Sequence, residues 1–279
     1  MSFAVPPNAT SSTAKRERLD RLLVARGLAE SRERAMRLIL GGSVRVDGRP
    51  ASKPGELVRE DAAVELLERS PYVGRGGEKL AHALKTFDLT VEGRVCLDVG
   101  ASTGGFTHCL LLTGARHVYA VDVGRGQLDQ KLRSDPRVTV MEGVNARYLT
   151  AHDFFDRPSL ATVDVSFISL EKLLEAVISC LTDDGEVIAL VKPQFEVGRA
   201  EVGKGVVRDR EKHRRVLTRI ADWAMSKGLA VRGVTGSPLR GPKGNREFFL
   251  HLARRGDSIP DLDVRIARVV EGEEERRAG

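Results

Sequence analysis

The sequence predicts an α/β protein: a doubly wound, mostly parallel sheet with helices on both faces and its last strand antiparallel, preceded by a small α+β unit. Three observations carry this expectation. From about residue 77 onward, apolar runs of strand length (VCLDV, VYAVD, VTVME, ATVDV, EVIALV) alternate with stretches of helical period, the pattern of parallel strands joined by crossover helices. The first of those strands runs directly into a glycine-rich turn, LDVGASTGGFT at 97 to 107. The positive charge is concentrated: Lys15 to Arg59 holds twelve Lys/Arg against six Asp/Glu, so the net +6 of the 279-residue chain resides there and the remainder is neutral.

Composition narrows the function classes. A hydrophobic content of 41% is ordinary for a folded soluble protein of this length. Cys96, Cys109 and Cys180 lack C-x-x-C spacing and a paired histidine motif, which argues against a disulfide framework or a zinc site and fits a reducing compartment. No apolar run approaches the roughly 18 residues of a membrane span. The first fourteen residues have neither a charged n-region nor an apolar h-region, so a cytoplasmic chain without a membrane partner is expected. A basic module on a neutral body suits a polyanion, most simply nucleic acid; a solvated basic surface fits the composition equally well.

Taken in order, MSFAVPPNATSSTA is rich in Pro, Ser and Thr and is expected to be disordered. ERLDRLLVARG places Leu19, Leu22, Leu23 and Ala25 near one helical face. Ser31 caps a second helix with Ala35, Leu38 and Ile39 inward, and Gly41 stops it. SVRVDGRP alternates Val44 and Val46 before a D-G turn, and the pieces around Leu57-Val58 and Val64-Leu66 complete one small sheet. The matching residues R-L-D-x-x-L at 18 to 23, S-R-x-x-A at 31 to 35 and G-x-V-x-V-D-G at 42 to 48 make this unit resemble the alpha-L RNA-binding motif of the S-four type. In that family the second helix and the following strand face RNA, which implies RNA contacts at Arg32, Arg37 and Arg45, with Arg18 in the same motif.

RSPYVGRGG at 69 to 77 reads as a linker. Beyond it come a helix in EKLAHALKTF, strands ending in LDVG and YAVDVG, a strand in RVTVMEG, one in ATVDVSFI, a helix in LEKLLEAVISCL and a strand in EVIALVKP. A long helix in RDREKHRRVLTRIADWAMSKG and strands in LAVRGVTG and REFFLHLAR finish the fold, with EGEEERRAG as a fraying end.

A glycine turn after the first strand of such a sheet brings a ligand against backbone N–H groups at a helix start. The spacing Gly100, Gly104, Gly105 is neither G-x-G-x-x-G nor a P-loop, which disfavours NAD and ATP. Asp98 at the strand tip suits a cationic group better than a pyrophosphate, and Asp122 at the end of the next strand suits the hydroxyls of a ribose. S-adenosylmethionine carries both features. The loop resembles motif I of class I methyltransferases built on the Rossmann-like sheet; it implies a cofactor site from Gly100, Ser102, Thr103, Gly104, Gly105 and Phe106, with Asp98, Asp122 and Val123. By the same resemblance Asn145 and Ala146 lie against the adenine.

Lys79, Asp164, Lys192 and Glu247 are expected to converge. Asp164 and Lys192 end two strands at the carboxyl edge, Lys79 begins a helix leading back to the first strand, and Glu247 starts the antiparallel strand. Any one of them alone would pass as a surface ion pair. In order they match the Lys-Asp-Lys-Glu set of FtsJ-like ribose 2′-O-methyltransferases. With PYVGRGG, DVSFISL, KPQFE and KGVVRD, residues 16 to 253 resemble the TlyA family, some of whose members bear the name hemolysin. The resemblance implies S-adenosylmethionine as cofactor and cytidine 2′-O-methylation of ribosomal RNA or ribosomal subunits, without a metal. It also implies Lys192 at the hydroxyl, as proton acceptor or as orienting group, with Lys79 steering the ribose-phosphate and Glu247 holding both amines. The expected organisation is a tail over 1–14, the RNA-binding domain over 15–67, a linker over 68–76, the methyltransferase domain over 77–255 and a charged tail over 256–279. A non-catalytic ribosome assembly factor and a cytolysin are the competing classes; the intact tetrad opposes the first, and the lack of a visible amphipathic membrane segment the second.

Overall fold

The computed structural model describes residues 15–40, 43–51, 53–66, 70–198, 201–203 and 205–273. The expected tail 1–14, the helix stop at Gly41, residues 68 and 69 of the expected linker and the last residues 274–279 lie outside them. The chain divides into two compact units, with the boundary between Arg69 and Ser70.

The smaller unit contains β1 (Arg16–Arg18), α1 (Leu19–Ala25), α2 (Arg32–Leu40), β2 (Val44–Val46), β3 (Arg49–Pro50), β4 (Leu57–Arg59) and β5 (Val64–Leu66). Leu19, Leu22 and Leu23 of α1 close on Ala35, Leu38 and Ile39 of α2, as the helical period predicts. The Ser31 hydroxyl accepts the Arg34 N–H at 3.2 Å, capping α2. Asp47 and Gly48, at φ 48° and 75°, form the two-residue turn between β2 and β3, whose two positive φ angles match the right-handed twist of a hairpin. The single small sheet expected here is in fact two: β4 pairs with β1, leaving β3-β2-β5 as a three-stranded sheet. The strand Arg-Glu-Arg of β1 carries no apolar alternation and so gives no strand signal.

The larger unit follows as α3 (Gly76–Thr86), β6 (Val95–Val99), α4 (Gly105–Leu112), β7 (His117–Asp122), α5 (Gln130–Arg133), β8 (Val138–Glu142), β9 (Leu160–Val163), α6 (Glu171–Cys180) and β10 (Glu186–Val191). Then come α7 (Pro193–Glu196), α8 (Arg210–Ser226), β11 (Ala230–Gly236), β12 (Phe248–Ala253) and α9 (Leu262–Glu271). The sheet order is β11-β12-β10-β9-β6-β7-β8, parallel except for β12, which runs antiparallel to both neighbours. Successive residues of a strand face opposite sides. Val95, Leu97 and Val99 therefore join the core with α6, α8 and α9, while Cys96 joins the one with α3 and α4. No helix among the described residues is long and apolar enough to cross a membrane.

Two boundary expectations are corrected. The charged tail assigned to 256–279 contains α9, whose Ile266, Val269 and Val270 are buried in the core against α8 and β11. Of the linker assigned to 68–76, residues from Ser70 belong to the larger unit: the Val73 N–H donates to His108 Nδ1 at 3.2 Å, and the Tyr72 ring lies where a side chain on Gly77 would have to go.

Candidate active site

The glycine turn is built by backbone geometry. After β6 the chain reverses at Gly100, with φ 87°, and its N–H and that of Ala101 donate to the Val121 carbonyl at 2.8 and 3.1 Å. A Cβ on Gly100 would come within 2.3 Å of the Asp164 carbonyl oxygen, so only glycine fits. The Asp122 carboxylate ties two loops together, accepting the Ser102 N–H at 2.8 Å and the Gly124 N–H at 2.7 Å. Around these groups opens a cavity of about 500 Å³, lined by Gly100, Ser102, Asp122, Val123, Asn145 and Ala146 among the expected residues. Asn145 caps the turn that follows it, its Oδ1 accepting the Arg147 N–H at 3.1 Å.

Five expected cofactor residues do not line this cavity. Asp98 is fully buried, its carboxylate receiving the Thr107 hydroxyl at 2.6 Å and the Thr162 hydroxyl at 3.0 Å. Burial pushes its pKa up to about 6 against the pull of those two donors. The carboxylate that borders the cavity beside the turn is Asp164. Thr103 is exposed and gives its carbonyl to the Asp129 N–H. Gly104, at φ 96°, starts α4 where a Cβ would strike Leu132. Gly105 packs against the backbone of Gly76 and Gly77, and Phe106 is buried beside Phe249. These residues shape the turn from behind. Gln127, Val144 and Ile168, which sequence reasoning missed, complete the wall; Gln127 lies in an irregular loop that offers no periodic signal.

A second cavity of about 420 Å³ holds Lys79, Lys192 and Glu247. The four tetrad residues form two ion pairs: Lys79 Nζ to Glu247 Oε2 at 2.5 Å and Lys192 Nζ to Asp164 Oδ1 at 2.5 Å. Lys192 also donates to the Ser166 hydroxyl at 3.1 Å. Glu247 thus holds Lys79 alone, and the expectation that it orients both amines gives way to one carboxylate for each. Its side chain is fully buried, with Oε1 set against Gly241, where a Cβ would come within 2.1 Å. Asp164 lines the first cavity and Lys192 the second, while Ser166 and Phe167 line both, so this pair stands at the common wall.

The wall is fixed by a residue the sequence reading quoted only inside KPQFE. Glu196 is buried at the end of α7. Its Oε1 accepts the Leu170 N–H at 2.8 Å, and its Oε2 accepts from the Ser169 hydroxyl at 2.8 Å and from Arg219 at 2.7 Å. One carboxylate therefore links the segment carrying Asp164 to the segment carrying Lys192 and both to α8. Phe167, at φ 66°, sets its ring 4.8 Å from that of Phe195 across the same junction.

In the smaller unit the four arginines separate. Arg18 and Arg32 both clamp the buried carboxylate of Asp20, at 3.0 and 2.9 Å, and Arg18 first among them holds its pKa down to about 2. Arg37 and Arg45 are exposed, the one on α2 and the other on β2.

Residues 72–254 match the FtsJ-like methyltransferase family, and residues 17–64 match the S4 domain. The 16S/23S rRNA (cytidine-2′-O)-methyltransferase TlyA of Mycobacterium tuberculosis is 49% identical, over 88% of this chain and 92% of its own length. Hemolysin A of Brachyspira hyodysenteriae is 40% identical over 84% of this chain and 99% of its own. A solved structure from Streptococcus thermophilus that bears the name hemolysin has a TM-score of 0.74 at 43% identity, covering 95% of this chain and 98% of that one. With an S4 match followed in the sequence by an FtsJ-like methyltransferase match, and relatives matched over nearly their full length, the chain belongs to the TlyA family of FtsJ-like methyltransferases.

Proposed function

We propose that the chain transfers the methyl group of S-adenosylmethionine to a ribose 2′-hydroxyl of ribosomal RNA, with a cytidine as the target nucleotide. The observation that carries this reading is the common wall: an ion pair, Lys192 with Asp164, set between a cavity of nucleoside character and a cavity lined by amines.

The first cavity fits the cofactor by its chemistry. The Asp122 carboxylate offers acceptors for a ribose diol, Val144, Ala146, Ile168 and Leu173 make an apolar slot suited to adenine, and Asp164 faces the same space with a negative charge for the cationic end. S-adenosylmethionine, when bound there, supplies an electrophilic methyl carbon. The remaining work belongs to the protein. Lys192 Nζ donates to the Ser166 hydroxyl and is ion-paired with Asp164, which leaves N–H capacity for the 2′-oxygen. That contact fixes the oxygen at the wall with a lone pair toward the methyl carbon, and such positioning accounts for much of the rate in a displacement of this kind. Transfer would exchange the sulfonium–methyl bond for the oxygen–methyl bond, sulfur keeping the electron pair as a neutral thioether, and the Asp164 carboxylate would take the hydroxyl proton. Lys79, held by Glu247, presents a positive charge to the sugar-phosphate from the wall of the same cavity. Arg37 and Arg45 supply phosphate contacts in the S4 domain, whereas Arg18 and Arg32 hold its helices together through Asp20.

The test uses the purified full chain with labelled S-adenosylmethionine and ribosomal subunits, followed by primer extension at low nucleotide concentration to locate the mark. Label should enter the RNA and a stop should appear at a cytidine. The Lys192→Ala variant should bind RNA and lose the transfer; retained transfer would overturn the assignment of the wall, and absence of label with the unaltered chain would overturn the reading itself.

A further inference from the structure

The acceptor cavity contains one more cation than its carboxylates match. Lys79 is paired with Glu247 and Lys192 with Asp164, each at 2.5 Å. Lys243 lines the same cavity, and no carboxylate among the described residues pairs with its ammonium. The cavity wall therefore carries an unbalanced positive charge at Lys243.

Its backbone is unusual too. Lys243 has φ 60°, a left-handed conformation in which the Cβ of a long side chain crowds the following carbonyl. The surrounding loop holds it there. The Gly241 N–H donates to the Asn245 carbonyl at 2.9 Å, and the Gly244 N–H to the Gly241 carbonyl at 3.0 Å. Asn245 is buried and locks this loop to its neighbour, accepting the Val207 N–H at 3.0 Å and donating to the Gly205 carbonyl at 3.0 Å. The lysine side chain passes over Gly205, where a Cβ would lie 3.3 Å from Nζ. A strained lysine, exposed at the edge of a cavity whose other amines each have a carboxylate partner, indicates a site for an anion.

We propose that Lys243 is the anion subsite of the acceptor cavity and holds the phosphodiester attached to the 3′-oxygen of the target ribose. This rests on the reading of the acceptor as an RNA ribose. The 3′-oxygen sits on the carbon next to the 2′-hydroxyl, so a nucleotide that presents its 2′-oxygen to Lys192 brings one negative charge into this cavity.

The experiment compares the full chain with Lys243→Gly and Lys243→Arg. RNA affinity is followed against salt by fluorescence anisotropy, methyl transfer by label incorporation, and unfolding by heating. Glycine relieves the left-handed strain, so Lys243→Gly should melt higher than the unaltered chain. It should also raise KM for RNA by roughly tenfold, with a much smaller effect on kcat, and lower the salt slope of binding by about one. Lys243→Arg should keep most of the affinity. A synthetic substrate with a neutral methylphosphonate at the 3′ linkage should lose the same factor with the unaltered chain and nothing further with Lys243→Gly. Unchanged affinity and slope in Lys243→Gly, or a fall in its melting temperature together with its affinity, overturns the proposal, as does an added loss on the methylphosphonate. Binding is measured without catalysis, so a chain that binds RNA through Lys243 and transfers no methyl group would refute the function while leaving the subsite standing.

Discussion

Replacing Lys79 by methionine is expected to destabilise the larger unit by about 3–5 kcal/mol, the cost of leaving a buried charge without its partner. The Glu247 side chain is 0% exposed, Lys79 Nζ at 2.5 Å is its ion-pair partner, and Glu247 Oε1 has no hydrogen-bond partner among the described residues. Removing the carboxylate as well, in Lys79→Met with Glu247→Leu, should recover most of the loss, because two apolar side chains of similar volume need no desolvation of ions. Trp223, the one tryptophan in the chain, lies in α8 against the core of this unit, so urea unfolding followed by its fluorescence reads the quantity directly. The single variant should melt roughly 10 °C lower, and the coupling in the double-mutant cycle should reach at least about 2 kcal/mol. Both variants should be inactive, which makes stability the informative measurement. A single variant within about 1 kcal/mol of the unaltered chain, or a double variant no more stable than the single, would show that the pair is not the sealed contact described here.

Four further outcomes are expected. Asp98, with its carboxyl raised by burial to about 6, contributes stability that is full below the usual carboxylate range and is lost as pH rises through that value; relative to Asp98→Asn, the unaltered chain should lose about 1 kcal/mol between pH 5 and pH 8 in urea titrations. Gly100→Ala puts a Cβ 2.3 Å from the Asp164 carbonyl at φ 87°, so calorimetry with S-adenosylmethionine should show binding weakened by roughly a hundredfold or lost. Glu196→Gln removes the charge facing Arg219 and leaves a buried network short of an acceptor; unfolding should detect a loss of about 1–3 kcal/mol, and methyl transfer should fall with it. Arg37→Ala and Arg45→Ala should each lower the salt slope of RNA binding by about one without changing stability, whereas Arg32→Ala should destabilise the S4 domain by loosening Asp20, whose contribution is present above about pH 4 and lost as pH falls toward its value of about 2.

What could be read in the sequence was what local pattern encodes. The strand into Gly100, the Asp47-Gly48 turn and the Ser31 cap are each written in a few adjacent residues, and the structure places them as expected. The antiparallel β12 was legible as well, since a short connection joins it to its neighbour, whereas the order of the strands is fixed by contacts no local pattern carries. The errors arise where a contact joins distant segments or where charge dilutes a period. Helix α9 escaped because Ile266, Val269 and Val270 are interspersed with Asp263, Arg265, Arg268 and Glu271, though the spacing of three and four was there to find. Asp98 and Asp164 both end strands with a carboxylate, and only the hydroxyls of Thr107 and Thr162 in space decide which of the two is enclosed. Glu196 and Lys243 act through loops whose partners are remote in the chain, and no spacing rule announces them.

The pairing of Lys79 with Glu247 spans 168 positions, from the first helix of the larger unit to the start of the strand that fills the gap between β10 and β11. Synthesis proceeds from the N-terminus, so the S4 domain and the glycine turn are made well before the last strand is translated. Until that strand leaves the exit tunnel the sheet has an open slot, and the amine of Lys79 has no carboxylate to hold it. The closing of the sheet and the sealing of this ion pair are therefore one event, the insertion of a single segment that is translated late.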